Sequence, residues 1–242
     1  EYYKLYFSAH SPLGGPMHSF RSTGGNDLSG SDEDHQIGGH SFSDLDTQGI
    51  HDLAYTTRLE TSCMLSDEKT IVAGMSFSTG PNATGRSART NIYGLDLYYK
   101  WKPLNNDHGW PFWTWQTEVL KRDYAAKSAP LFSDPTVTLP NEHLNDWGFY
   151  TQVVHGFMRQ WTMGLRLDFA NASGDSAGTK NLDPLRDRRW RVSPNITHYL
   201  SEFSKLRFQY DYDVAKHLGD NPEHSFTIQY EVNFGTHGAH KF

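Results

Sequence analysis

Read back from the C-terminus, Phe226, Ile228, Tyr230, Val232 and Phe234 alternate with Thr227, Gln229, Glu231 and Asn233. A period of two puts every apolar side chain on one face of an extended strand and every polar one on the other, which no helix can do. Upstream, Leu206, Phe208, Tyr210 and Tyr212 oppose Lys205, Arg207, Gln209, Asp211 and Asp213. Trp161, Met163, Leu165, Leu167 and Phe169 oppose Thr162, Gly164, Arg166 and Asp168, and Tyr93, Leu95, Leu97, Tyr99 and Trp101 oppose Gly94, Asp96, Tyr98, Lys100 and Lys102. Residues 147–157, 190–200, 113–119, 71–77, 53–59 and, more briefly, 3–7 follow the same rule. The pattern predicts an all-β, antiparallel fold of about ten strands.

The connections between these runs alternate in length. Residues 66–69, 102–109, 159–160 and 201–204 are short, while 79–89, 125–145, 171–188 and 215–223 are long, and 9–49 is the longest. Aromatic residues gather at both strand ends: Trp101, Trp113, Phe157, Trp161, Tyr199 and Phe203 toward the short turns, and Tyr93, Trp147, Phe149, Phe169, Trp190, Tyr212 and Phe226 toward the long loops. A soluble sandwich has no need of one-sided long loops or of two aromatic belts, and its strands average about five or six residues. A transmembrane β-barrel needs all three: strands of about ten residues, short periplasmic turns with long outer loops, and a girdle at each interface. The expectation is one outer-membrane barrel domain over 1–242, with 9–49 and 125–145 outside the cell.

Composition agrees with that expectation. A mean hydropathy of -0.68 and the lack of any apolar run near about 18 residues exclude a transmembrane helix, but a barrel alternates lipid-facing and lumen-facing residues and therefore averages polar. Glu1 opens the chain without a signal-peptide pattern. With 22 basic and 28 acidic residues the net charge is -6, so no electrostatic argument favours a nucleic-acid partner. The single Cys63 forms no disulfide within the chain.

The ending Tyr-Glu-Val-Asn-Phe-Gly-Thr-His-Gly-Ala-His-Lys-Phe, from Tyr230 to Phe242, resembles the C-terminal assembly signal of outer-membrane proteins, with Phe242 the terminal aromatic and His240 where a hydrophobic residue is usual. Together with Glu202-Phe203-Ser204-Lys205-Leu206-Arg207-Phe208-Gln209-Tyr210, Ser41-Phe42-Ser43-Asp44-Leu45-Asp46 and Asp146-Trp147-Gly148-Phe149-Tyr150-Thr151-Gln152, it resembles a family of porin-like barrels. That resemblance implies outer-membrane lipid and the barrel assembly machinery as partners, and brings no catalytic residue and no cofactor. Members of such a family carry additional N-terminal strands, which would make this chain part of a wider barrel completed by further strands or subunits.

The polar register collects Asp52, Arg58, Glu60, Asp96, Lys100, Lys102, Glu118, Arg122, Arg166, Asp168, Arg189, Arg191, Lys205, Arg207, Asp211, Asp213 and Glu231. Mixed charges in a lumen either brace the wall or line a path for small polar solutes and ions, so passive passage is the functional expectation, with divalent metal ions a candidate cargo. His18, His35 and His40, beside Asp32, Glu33 and Asp34, form a candidate metal-capturing set in the long outer segment. His237 and His240 are spaced so that a strand would turn them to opposite faces. Asn82-Ala83-Thr84 reads as a loop tip. The rival functions are a surface hydrolase of omptin-like size, using Asp32, Asp34 and His35 or Asp213 and His217 as acid and base, and a purely structural or adhesive barrel.

Overall fold

The computed structural model describes residues 2–11, 19–20, 36–43, 45, 47–174 and 182–234. Ten long strands make one antiparallel sheet: β1 (Tyr2–His10), β4 (Ala54–Ser66), β5 (Lys69–Pro81), β6 (Arg89–Trp101), β7 (Phe112–Ala126), β10 (Glu142–Met158), β11 (Trp161–Ser173), β12 (Arg189–Ser201), β13 (Ser204–Ala215) and β14 (Pro222–Val232). Each pairs only with its neighbours in chain order, so the sheet is a meander. β1 and β14 are its two edges and are not hydrogen-bonded to each other; the sheet is open in this chain. Among the described residues there is no α-helix, only single 3-10 turns at Ile50–Asp52, Pro184–Arg186 and Lys216–Leu218.

All ten runs expected from the alternation are strands, and most run on past the expected ends. Leu53, Lys102, Asn233 and Phe234 are exceptions and lie just outside β4, β6 and β14. The extra length also corrects the expected strict alternation of connections. The β5–β6 ladder continues to Pro81 opposite Arg89, leaving only 82–88 between the strands, shorter than 102–111 between β6 and β7.

Register carries each face across the whole sheet. Leu5, Leu59, Met75, Leu95, Val119, Phe149, Phe169 and Trp190 are successive cross-strand partners, forming one apolar row eight strands wide. The next inner row runs Glu60, Gly74, Asp96, Glu118, Tyr150, Asp168, Arg191 and Asp213 on the opposite face. The apolar face is uncovered: Leu5, Met75, Leu95, Met163, Leu165 and Ile228 are all exposed, Leu95 at 61%. Small polar residues of the other face are the buried ones, with Ser193 at 2% and Thr197 at 1%. Threonines that interrupt the apolar face are satisfied locally: Thr117 donates to the Tyr150 carbonyl at 2.9 Å, and Thr151 accepts from Trp115 Nε1 at 2.8 Å.

Beside the ends of β7 and β10 a second sheet forms in the order β2 (Gln36–Ile37), β3 (His40–Ser41), β8 (Ala129–Leu131), β9 (Asp134–Leu139). The β2–β3 hairpin turns on Gly38 and Gly39, both at positive φ (56° and 84°), the pair of conformations a two-residue hairpin turn requires. Ile37 seats there against Tyr124, Ala126 and Leu144, with Phe42 alongside. Asn82 is not a loop tip. It is fully buried, its Nδ2 donating to the Ala125 carbonyl at 3.2 Å while its Oδ1 accepts from Thr84 N (3.1 Å) and Thr84 Oγ1 (2.7 Å). Thr84 Oγ1 in turn accepts from Lys127 N at 3.0 Å, and Ser43 N donates to the Ala83 carbonyl at 2.7 Å. The buried side chain thus joins 82–88 to β7, and the backbone bond from Ser43 joins the same segment to 36–43.

Candidate functional site: the polar face of the sheet

Asp96, Lys100, Glu118, Arg166, Asp168, Arg189, Arg191, Lys205, Arg207, Asp211 and Glu231 all occupy the face opposite Leu95, Val119, Leu165 and Phe208, because each has the parity that register carries across the sheet. Ion pairs brace this face between strands or along one. Arg58 grips Asp96 through Nη1–Oδ2 at 2.5 Å and Nη2–Oδ1 at 2.9 Å, and reaches Glu60 at 3.3 Å. Arg166 holds Asp168 through Nε (2.9 Å) and Nη2 (2.7 Å). Arg189 grips Asp213 with Nε at 2.9 Å and again through Nη2, and Lys205 Nζ meets Glu231 at 3.0 Å.

The Arg58–Asp96 bridge reaches from β4 to β6 across β5, and it passes over Gly74. A Cβ at that position would crowd Asp96 Oδ2 and Arg58 Nη2, so a side chain there would push the bridge aside.

Other charges are not used up in this way. Arg191 approaches Asp168 only at 3.7 Å, beyond hydrogen-bond distance. Arg207 spends Nε on Thr197 Oγ1 at 3.1 Å and meets no carboxylate among the described residues. Asp211 is buried and satisfied by neutral donors, namely Ser193 Oγ at 2.5 Å, Gln209 Nε2 at 2.9 Å and Ser225 Oγ at 3.3 Å. A polar cavity of about 260 Å³ opens between Gln152, Arg166, Arg191, Asn195, Arg207 and Gln209.

Toward the loop end a larger cavity of about 620 Å³ lies beneath residues 185–187. There Asp146 is clasped from two sides: Arg122 donates Nε at 2.7 Å, and Arg186, from the Pro184–Arg186 turn, donates Nε at 2.8 Å with its side chain 7% exposed. Asp183 of the same connection accepts from Gly38 N at 2.8 Å, so the loop is fixed to the mouth of the polar face and to the small sheet together. Sequence reasoning placed Arg122 on this face but missed Asp146 and Arg186. Asp146 has the parity that marks the polar register, whereas Arg186 sits in a loop that no periodicity describes. Tyr150, Gln152, Asn195 and Gln209 were missed by weighing charges alone, although their parity is equally plain.

His40 is fully buried, with Nδ1 3.0 Å from the Lys127 carbonyl and Nε2 3.0 Å from Glu142 Oε2. Both ring nitrogens are thus engaged within the protein, and a metal would have to displace one of these bonds. His18 and His35, the rest of the candidate metal set, lie outside the described residues, as do Asp32, Asp34, His237, His240 and Phe242. Among the described residues no cluster of three or more His, Cys, Asp or Glu side chains forms a metal-binding group. Of the Asp213 and His217 acid–base pair, Asp213 is committed to Arg189, and His217 Nδ1 is buried without a hydrogen bond among the described residues.

No family model, curated protein or solved structure matches the chain.

Proposed function

We propose that this chain forms the wall of a porin-like β-barrel in the bacterial outer membrane and serves as a passive, non-enzymatic conduit for small polar or ionic solutes. The observation that carries the reading is the inversion of burial: a continuous apolar face stands uncovered while small polar residues on the opposite face are buried. In water such a face would drive association or collapse, since uncovered apolar patches of this extent are rare on soluble monomers. Hydrocarbon is the solvent that suits it. From Trp147 to Phe157 along β10, a rise of about 3.3 Å per residue and a tilt near 45° place the two aromatic levels about 23 Å apart, close to the height of a bilayer's apolar band.

The unpaired edges β1 and β14 are the other half of the argument. Open ladders do not survive in lipid, because each unsatisfied backbone group costs several kcal/mol there. The wall therefore closes in the membrane, either β1 on β14 or through further strands or a second subunit. The assembly machinery would engage such a wall through β14. Divalent ions remain a candidate cargo through His18 and His35.

Planar-bilayer conductance of protein shown to be folded by heat-modifiable gel mobility tests the proposal. Discrete conductance steps whose ion selectivity shifts when Arg191 or Glu118 is neutralised are expected. A folded but electrically silent protein would mean that the paired charges only brace a filled barrel, and hydrolysis lost on substituting His35 would favour the surface hydrolase.

A further inference from the structure

Three guanidinium groups, on β11, β12 and β13, converge on the cavity of about 260 Å³ described above. Their donors exceed what the protein accepts. Arg166 spends two of its nitrogens on Asp168. Arg191 makes no hydrogen bond among the described residues, and Arg207 makes one, through Nε. The nearby carboxylates already have partners: Asp168 has Arg166, Asp211 has Ser193, Gln209 and Ser225, and Asp213 and Glu231, which also act on Arg191 and Arg207, have Arg189 and Lys205. Every nearby carboxylate that is paired thus has another partner, and among the described residues Arg191 donates no hydrogen bond and Arg207 only one, through Nε. Gln152 and Asn195 add amide groups to the same wall.

We propose that Arg166, Arg191 and Arg207 form a binding step for a small oxyanion, a carboxylate or a phosphate. The planar fork of a guanidinium matches two oxygens of such a group, and charge-assisted bonds of this kind are about twice as strong as neutral ones. The cavity, at about 260 Å³, holds a group of a few heavy atoms with part of its hydration shell. Arg191 and Arg207 provide the recognition, and Arg166, held by Asp168 and stacked 4.1 Å over the Tyr150 ring, fixes the wall against which the anion rests. The inference deepens the conduit reading and rests on it for its biological use: the site would select anionic solutes from those entering the barrel.

The test is a binding measurement that needs no conduction. Equilibrium dialysis of labelled inorganic phosphate against the folded protein in detergent micelles should show saturable binding, displaced by succinate at concentrations where chloride has no effect. R191Q and R207Q should each weaken it about tenfold, R207K should recover only part because it keeps charge without the fork, and K216Q, on the exposed Lys216–Leu218 turn, should bind as the parent does. Heat-modifiable mobility of every variant separates lost binding from lost folding. Competition by succinate stronger than by unlabelled phosphate assigns the site to carboxylates, and the reverse order to phosphate. Absence of saturable binding across the millimolar range, or an R191Q/R207Q double variant that binds as the parent does, would overturn the site. Binding by a protein that conducts nothing would uphold the site and remove the conduit reading. Conductance without binding would do the opposite.

Discussion

Gly74 shows how much one missing side chain can matter. The Arg58–Asp96 bridge crosses β5 where nothing projects from position 74, so Gly74→Val should part the bridge and lower stability by about 2 kcal/mol or more, as overpacking usually does. Urea unfolding in micelles would measure it, and a variant as stable as the parent would show that the bridge contributes nothing. His40 makes the second residue-level case, because its removal leaves Glu142 and the Lys127 carbonyl without their partner. His40→Ala should cost about 3 kcal/mol locally. The expected readout is faster proteolysis within 127–141 with little change in global unfolding. Alternation revealed which face each charge within a strand occupies, because parity needs only the sequence; Asp52, in the Ile50–Asp52 turn, and Lys102, just past β6, belong to no strand, against expectation. It could not reveal partners, since Arg58 and Asp96 are brought together by a strand that neither belongs to. It also misplaced Asn82, whose burial depends on contacts with 125–127 that are remote in sequence.

Among the elements, β11 gives the sharpest contrast between faces. Leu165 lies on the uncovered apolar face, with Val153 and Pro194 opposite it, so Leu165→Arg should destabilise the membrane-inserted protein by roughly 2 to 4 kcal/mol if it sits near the bilayer midplane. Gln116→Arg, on the polar face of β7, should change stability by less than about 1 kcal/mol. Equal tolerance at the two positions in lipid-based unfolding would contradict the assignment of faces. The ten strands were legible because each carries several full periods. Their ends were not, because ladder hydrogen bonds extend a strand for as long as its neighbour keeps pace, whatever the side chains. The small sheet of β2, β3, β8 and β9 escaped notice for a related reason: strands of two or three residues carry no measurable period.

For the whole molecule the proposed function puts two solvents on two sides of one sheet, lipid against the row of Leu95 and Phe169 and water against the row of Glu118 and Arg191. The joining of 36–43 to 127–141 by the small sheet fits the outer side, so protease added to intact cells should reach 9–49 or 127–141 before it reaches the Ser66–Lys69 turn. Cleavage of that turn alone would invert the orientation. The most direct test of the two-solvent claim is a fluorescence scan of β11 in liposomes. A small probe is attached in turn to single cysteines from 162 to 169 in a Cys63→Ser background, and quenched either by brominated lipid or by aqueous iodide. Odd positions should be quenched by bromine and even positions by iodide, alternating along the strand. Iodide quenching at odd positions without any effect of brominated lipid would contradict the account, because the apolar face would then meet water or another protein surface and not the membrane.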